Sequence, residues 1–260
     1  IVSPATFTEV GTAAVDAMHK HGAVCLRGVF NDFVGAIREG IALNLTSLRG
    51  PNFESLPADT GDAEAPQFIN DYVNWRRVPP FQRFVEESAC GEMAAKLLKS
   101  STASFYHEHV LVKEPGASAP TPFHIDQSYY PVAGPMLSVW VPVDDVPLQS
   151  TLLCVEGSHR WGLMRPRKFA THLDYEGSES LESMPEIDPS AHRLLGWELK
   201  PGDAIAFFGS TAHGAAGHEG TSHRRVLTAR WFGDDSLYEP RPWEVSPPVL
   251  PKLRQAGEPL

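Results

Sequence analysis

Cysteine is scarce in this chain, with three residues among 260. Cys25, Cys90 and Cys154 are odd in number and widely spaced, so they match neither a disulfide framework nor a zinc-binding pattern. Unpaired cysteines are usual in proteins of reducing compartments. We therefore expect reduced thiols, buried in the core of a cytoplasmic protein.

Positive charge and long apolar segments are also lacking. The 22 Lys and Arg residues are outnumbered by 32 Asp and Glu residues, which gives a net charge of −10. Nucleic-acid binding requires basic patches, and a membrane-spanning helix requires roughly 20 consecutive apolar residues. We therefore expect a small-molecule partner, with no nucleic acid and no membrane, and no oligomeric state is indicated. The sequence contains no recognisable signal peptide, although a start at Ile1 leaves a trimmed N-terminus open.

Turn-forming residues are abundant, with 23 prolines and 21 glycines. Helical periodicity is confined to the first part of the chain, over residues 3–20, 31–45 and 79–99. From about residue 104, short strand-like segments follow one another between turn signals, which is typical of a sandwich or jelly roll. The predicted strands cover residues 23–29, 67–75, 105–113, 123–129, 137–143, 151–155, 196–199, 204–208 and 225–231.

These patterns predict a single, mainly β domain with flanking helices over residues 1–260. The helical part covers about residues 1–103, and the β core covers about 104–235. The charged, Ser-rich segment 165–193 interrupts the core and is expected to form a lid-like insertion. The Pro-rich tail 239–260 is expected to wrap around the surface.

The first chemical signal is the pair His124 and Asp126, which lie two positions apart. Residues i and i+2 of an extended strand point to the same face, so the imidazole and the carboxylate would converge on one point. They are two of the three ligands of the facial triad that suits non-heme Fe(II). The same spacing recurs at His172 and Asp174, but we expect that pair to lie in a solvated loop of the insertion.

A competing metal pattern is formed by His107 and His109, which would share one face of a strand as metal-binding histidines of cupins do. The glycine-led motif and the glutamate that accompany such a pair in cupins are not found. A cupin-type metalloenzyme using these two histidines is therefore an alternative. A non-catalytic jelly-roll protein that binds a metal or another ligand is a second one.

Further along the chain lie a third histidine, His213, and a basic residue eleven positions later, Arg224. With its flanking segments, this series resembles the phytanoyl-CoA dioxygenase family of Fe(II)- and 2-oxoglutarate-dependent oxygenases. The resemblance covers roughly residues 105–231 and implies a double-stranded β-helix core (jelly-roll, cupin-like). The matching segments are Val112-Lys113-Glu114-Pro115-Gly116, Phe123-His124-Ile125-Asp126-Gln127-Ser128-Tyr129-Tyr130-Pro131, Ser138-Val139-Trp140-Val141-Pro142, Glu156-Gly157-Ser158-His159-Arg160-Trp161-Gly162 and His213-Gly214 with its arginine.

The resemblance implies that His124, Asp126 and His213 bind one Fe(II), with 2-oxoglutarate and O2 as cosubstrates. The enzyme would be a dioxygenase that hydroxylates or otherwise oxidises a C–H bond of a small molecule and releases succinate and CO2. Related iron halogenases carry a small residue in place of the carboxylate. The presence of Asp126 therefore favours oxidation over halogenation.

The distal carboxylate of 2-oxoglutarate is expected to bind Arg224, because a guanidinium grips a carboxylate with two N–H donors. The alternative, that Arg225 points inward instead, is left open. If Arg224 points inward, strand alternation places Arg230 on the same face. The family often has Ser where this chain has Ala215, which removes one hydrogen bond to the cosubstrate. Further candidates around the cosubstrate are Trp140, His109 and Lys113.

Substrate contacts are predicted on residues near both ends of the strand over 67–75, on the tyrosines after Asp126 and on Arg230. An ion pair with Asp234 or Asp235 is the alternative for that arginine. The absence of a dense Lys and Arg cluster argues against a CoA tail and favours a natural-product or amino-acid-type substrate. The candidate substrate-binding residues are Phe68, Asn70, Trp75, Tyr129, Tyr130 and Arg230. Gln127 and Tyr129 are also expected to support the metal ligands.

Overall fold

Two β-sheets that pack against each other build the core. The computed structural model describes residues 1–56, 65–169, 171, 173–245, 247 and 255–259. Its strands are, in chain order, β1 (Thr6–Phe7), β2 (Ala23–Leu26), β3 (Glu54–Leu56), β4 (Phe68–Tyr72), β5 (Ala103–Lys113), β6 (Thr121–Ile125), β7 (Val132–Ala133), β8 (Met136–Pro142), β9 (Leu152–Val155), β10 (Leu194–Leu195), β11 (Ala204–Phe208), β12 (Ala212–Ala215), β13 (Arg224–Gly233) and β14 (Leu237–Tyr238). Its helices are α1 (Thr12–His21), α2 (Val34–Leu45), α3 (Pro79–Glu87) and α4 (Cys90–Leu98).

The strand order places segments side by side that are far apart in the chain. The larger sheet has the order β1-β2-β11-β8-β13-β5-β4-β3, the smaller sheet has the order β10-β9-β12-β6, and β14 pairs with β7. Within the larger sheet β13 is antiparallel to both β5 and β8. Two packed sheets with such long-range pairings are typical of a jelly roll. The mainly β architecture with flanking helices agrees with the predicted fold class.

The apolar core lies between the two sheets. Trp140, Ile205 and Val226 of the larger sheet pack there against Leu152 and Cys154 of the smaller one. All three cysteines are buried and unpaired, as predicted from the sequence. Burial raises the pKa of two of them, Cys25 and Cys90, to about 12, so these thiols stay protonated at neutral pH.

The helices pack on the outer face of the larger sheet. Alternate residues of β13 face opposite sides, so Leu227, Ala229 and Trp231 join the helix cluster. Val226 and Thr228 face the inside of the jelly roll. This alternation decides which side chains of β13 reach the site described below.

Several predicted elements differ from the structure. The helix predicted over residues 3–20 is wrong in its first part, because Thr6–Phe7 pairs in parallel with β2 and α1 begins only at Thr12. The strand predicted over residues 196–199 is not formed, and only Leu199 makes a bridge there, to Val146. The strand β12 at Ala212–Ala215 was missed, since Ala and Gly give it little strand character.

The insertion over residues 165–193 forms neither a helix nor a strand in the part that the structure describes. One bridge joins Arg167 to Asp174, and Asp174 is paired with Arg165 and Arg167. His172, which shares the His-x-Asp spacing with Asp174, lies outside the described residues. No helix of the described chain is long and apolar enough to cross a membrane.

Candidate active site

Two neighbouring strands of the smaller sheet bring two histidines together. His124 on β6 and His213 on β12 are direct partners in the antiparallel pairing, and their ring centroids lie 4.2 Å apart. The close approach requires glycine at position 214, because a Cβ there would lie 2.9 Å from the carbonyl oxygen of Thr121. The pairing therefore points both imidazoles to the same side of the sheet.

Asp126 joins them from a 3-10 turn. The strand predicted over residues 123–129 is shorter than expected, because β6 ends at Ile125 and the turn covers Asp126–Tyr129. Ile125 itself is extended, with φ −115° and ψ 116°, so Asp126 still lies on the same side as His124. The Oδ1 atom of Asp126 lies 3.4 Å from Nε2 of His124 and 3.7 Å from Nε2 of His213.

Backbone carbonyls determine which nitrogen of each imidazole is free. Nδ1 of His124 donates to the carbonyl oxygen of Pro122 at 2.8 Å, and Nδ1 of His213 donates to that of Thr211 at 3.0 Å. A carbonyl can only accept, so Nδ1 carries the proton and Nε2 presents a lone pair. Burial lowers the pKa of His213 to about 3, and the nearby His124 acts in the same direction. His213 is therefore neutral, as a metal ligand must be.

The carboxylate is held by two further side chains. Ser138 on β8 donates to Oδ2 of Asp126 at 2.8 Å, and Nε of Arg230 on β13 donates to the same oxygen at 3.1 Å. Burial alone would raise the pKa of Asp126, but Arg230 and the two histidines hold it well below its usual value. Oδ2 is thereby occupied, and Oδ1 is left facing the imidazoles.

The ligand atoms of His124, Asp126 and His213 lie within 4.8 Å of one another. Two imidazole nitrogens and one carboxylate oxygen, each oriented by an outer hydrogen bond, fit an Fe(II) ion with open coordination positions. Among the described residues, this is the cluster with the composition and spacing of a metal site. The alternative pair does not form one, because Nε2 of His109 lies 3.3 Å from the Asn70 amide oxygen and the described residues supply no third ligand beside His107 and His109.

A small cavity of about 50 Å³ lies beside the triad, between the sheets. Arg224 and Thr228 of β13 both line it, and each has a buried polar atom without a hydrogen-bond partner, Nε and Oγ1 respectively. Nη1 of Arg224 donates to the Ser150 carbonyl at 2.6 Å. Burial lowers the pKa of Arg224 to about 10, so the guanidinium remains charged at neutral pH.

Arg225 points to the opposite face of the sheet. Its Nε and Nη2 donate to the two carboxylate oxygens of Asp144 at 2.9 and 2.6 Å. Its side chain is 32 % exposed, whereas Arg224 is 1 % exposed. The structure thus places Arg224, and not Arg225, beside the triad.

Of the three other residues predicted to bind the cosubstrate, two line this cavity and one does not. Trp140 and His109 line it, and so does Ala215, which stands where the family often has Ser. The guanidinium carbon of Arg224 lies 5.7 Å from the ring centroid of Trp140. Lys113 does not line it: its Nζ donates to the carbonyls of Ala119 and Ala216 at 2.7 Å, and burial lowers its pKa to about 6. Lys113 therefore connects the segments after β5 and β12.

A larger cavity of about 490 Å³ opens on the other side of the triad. Its volume is within the usual range of small-molecule sites. Tyr129, Tyr130 and Asn70 of the predicted substrate-binding set line it, while Phe68 lines the small cavity. The Tyr129 hydroxyl donates to the carbonyl of Arg167 at 2.8 Å and accepts from its N–H at 3.0 Å, which ties the insertion to the turn after Asp126. Gln127 supports that turn through the Val132 and Gly134 carbonyls.

Two substrate candidates differ from the prediction, Arg230 in its ion-pair partner and Trp75 in its position. The carboxylate that pairs with Arg230 is Asp126 rather than Asp234 or Asp235, although Arg230 also lines both cavities. Trp75 lies outside both cavities and packs against Phe105, at 5.3 Å between ring centroids, in the helix cluster. Alternation from Phe68 and Asn70 already places Trp75 on the opposite face, with Ile69, and both residues pack in the helix cluster.

Other residues of the site were missed from the sequence. Ser138 shares the face of Trp140 two positions later, so the alternation used for Trp140 could have found it. His107 lines the larger cavity, and the same rule relates it to His109. No local signal marks Phe169 of the insertion or Glu244, Val245 and Pro247 of the tail, which line the same cavity.

Comparison with known proteins accounts for this arrangement. The model of the phytanoyl-CoA dioxygenase (PhyH) family matches residues 18–226. The chain belongs to the phytanoyl-CoA dioxygenase family. This confirms the predicted family and enzyme class, an Fe(II)- and 2-oxoglutarate-dependent dioxygenase. A search of curated proteins gives no match to the sequence.

Several solved structures have the same fold. SnoK, a non-heme alpha-ketoglutarate-dependent carbocyclase from nogalamycin biosynthesis, has 22% identity and a TM-score of 0.74, over 100% of this chain and 96% of SnoK. The epimerase SnoN, in complex with Fe3+, alpha-ketoglutarate and nogalamycin RO, has 20% identity and a TM-score of 0.70, over 95% and 94% of the two chains. EvdO2 from Micromonospora carbonacea var. aurantiaca, complexed with 2-oxoglutarate, has 20% identity and a TM-score of 0.66, over 92% and 98%. They confirm the predicted jelly-roll fold.

Proposed function

We propose that this dioxygenase oxidises a C–H bond of a natural-product-type small molecule held in the larger cavity. The observation that carries the proposal is the convergence of His124, Asp126 and His213 where the two cavities meet. When bound there, Fe(II) with 2-oxoglutarate and O2 supplies the oxidation and releases succinate and CO2. Two of the similar structures come from nogalamycin biosynthesis, which supports a natural-product substrate.

In this proposal Arg224 and Thr228 bind the distal carboxylate of 2-oxoglutarate. A carboxylate in the small cavity would give both the Arg224 Nε and the Thr228 hydroxyl the partners that they lack. Each such buried group left without a partner costs roughly 1–3 kcal/mol, so the cavity is prepared for an anion. Trp140 forms an apolar wall and excludes water from the cosubstrate.

Ser138 and Arg230 keep Asp126 ionised and correctly turned in this proposal. Their donors occupy Oδ2, so Oδ1 alone is presented to the iron. Tyr129, Phe169 and the insertion cover His124, whose ring lies 4.8 Å from that of Phe169. This cover excludes bulk water during the reaction.

A direct experiment tests the function as a whole. Purified protein is loaded anaerobically with Fe(II) and 2-oxoglutarate, and we expect a metal-to-ligand charge-transfer absorption band in the visible range. On admission of O2, a library of hydroxylated and non-hydroxylated natural products is screened for succinate formation above the uncoupled rate. A folded protein that shows neither the band nor succinate formation would contradict the proposal.

The C-terminal tail closes the larger cavity, and its removal is expected to uncouple the reaction. Nε1 of Trp243 donates to the Ser128 carbonyl at 2.9 Å, and Arg241 donates to the carbonyls of Tyr130 and Val132. We expect Trp243→Ala to lower the product formed per succinate severalfold, at a cost of about 3 kcal/mol in stability. The charge-transfer band should persist. The control is Leu237→Ala, at a 39 % exposed position of β14 just before the tail; equal coupling in both variants would show that the tail does not affect the reaction.

A further inference from the structure

His107 and Arg230 are neighbours across β5 and β13 and lie at the wall of the larger cavity. Each has one buried atom without a hydrogen-bond partner, Nε2 of His107 and Nη1 of Arg230. The residues are 1 % and 5 % exposed, respectively. Leaving both atoms unsatisfied is costly, so the pair is expected to bind a group of the ligand.

The His107 nitrogen is a hydrogen-bond acceptor. Its Nδ1 lies 3.1 Å from the carbonyl oxygen of Glu108, which can only accept, so Nδ1 carries the proton. Burial and the neighbouring Arg230 cation both hold the pKa of His107 well below its usual value, so the ring stays neutral. Nε2 therefore carries a lone pair, on a residue of the cavity wall.

The Arg230 nitrogen is a donor. Nε donates to Oδ2 of Asp126, and Nη2 lies 3.4 Å from Oδ1. Nη1 carries N–H groups only, and they have no acceptor in the described structure. An acceptor and a donor thus belong to two register partners of the same wall.

We propose that this pair is a subsite for a hydroxyl group of the substrate. A hydroxyl can donate its proton to Nε2 of His107 and accept from Nη1 of Arg230, so one group satisfies both atoms. This inference rests on the proposed function, because it takes the larger cavity as the substrate site.

Charged groups fit the pair less well. A carboxylate has no proton for His107, and the charge of Arg230 is already balanced by Asp126. An ammonium group would be repelled by Arg230 and would leave Nη1 without an acceptor. The subsite therefore selects a neutral hydroxyl.

The surrounding side chains indicate what carries that hydroxyl. The Tyr130 ring lies 5.4 Å from the His107 ring and 5.7 Å from the Arg230 guanidinium carbon. The rings of Tyr129 and Phe169, also on the cavity wall, are 6.0 Å apart. Aromatic walls favour flat apolar ligands. The substrate class is a neutral ring compound with a hydroxyl at its edge.

Three indoles of similar size test the subsite without knowledge of the natural substrate. The probes are 5-hydroxyindole, 5-methylindole and indole-5-carboxylate. Their dissociation constants are measured by anaerobic equilibrium dialysis against protein loaded with Fe(II) and 2-oxoglutarate. We expect 5-hydroxyindole to bind about tenfold more tightly than 5-methylindole, the difference that one buried hydrogen bond makes, and the carboxylate to bind most weakly.

Two variants test whether His107 causes the preference for the hydroxyl group. His107→Phe should lose most of the preference for 5-hydroxyindole over 5-methylindole, because only the hydrogen bond from Arg230 remains. His107→Gln, which keeps an acceptor oxygen, should retain most of the preference. Equal affinities in the unchanged protein, undetectable binding of 5-hydroxyindole, or an undiminished preference in His107→Phe would each overturn the inference. The charge-transfer band is recorded on every sample. Its absence in the unchanged protein would contradict the proposed function instead, so the two failures are distinguishable.

Discussion

Replacing Arg224 with alanine is expected to weaken 2-oxoglutarate binding about a thousandfold, or about 4 kcal/mol, which is typical of losing one partner of a buried charge pair. The guanidinium is 1 % exposed, and its Nε has no partner in the protein. The two nearest basic side chains are already engaged, since Nζ of Lys113 donates to two backbone carbonyls and Arg230 pairs with Asp126. The measurement is a titration of 2-oxoglutarate into the Fe(II)-loaded protein, followed by the charge-transfer band.

Arg225→Ala is the matched control, since it removes the same side chain one position later. Arg225 is partly exposed and paired with Asp144 on the outer face of the sheet. Its loss should cost about 1 kcal/mol or less in the free energy of unfolding and leave 2-oxoglutarate binding unchanged. If Arg225→Ala abolished 2-oxoglutarate binding and Arg224→Ala did not, the assignment of the anchor would be wrong.

The second large effect is expected for His213→Ala, which should lower the affinity for Fe(II) by more than about a hundredfold. Removing a side chain that only hydrogen-bonds to a metal ligand lowers metal affinity by up to about a hundredfold. Removing the ligand itself should lower the affinity further. Iron binding is measured by competition with a chromogenic chelator under anaerobic conditions. The charge-transfer band should disappear together with the bound iron.

Two other histidines serve as controls for this experiment. His223 is exposed, so His223→Ala should bind iron as the unchanged protein does. His107→Phe should also retain iron, because His107 takes no part in the triad. Loss of iron in His107→Phe, with retention in His213→Ala, would instead support the cupin-type site at His107 and His109.

The sequence predicted most of the candidate site because its signals are local. The spacing of His124 and Asp126 and the alternation along β13 concern residues that are close in the chain, and the order of the family's motifs supplied the distant His213. Side-chain alternation depends only on an extended backbone. It correctly placed Arg224, Thr228 and Arg230 on the same face of β13. The prediction for Trp75 did not use this rule, which places Trp75 on the face opposite to Phe68 and Asn70, where the structure has it.

The sequence by itself determined the family, the mainly β fold and the three metal-ligand candidates, since spacing and flanking residues carry this information. Only the tertiary structure decided that Arg230 balances Asp126 and lies beside His107, and that the tail closes the larger cavity. These relations depend on strand register and on packing between segments far apart in the chain. Such contacts leave no periodic signal, so they could not be read before the fold was known.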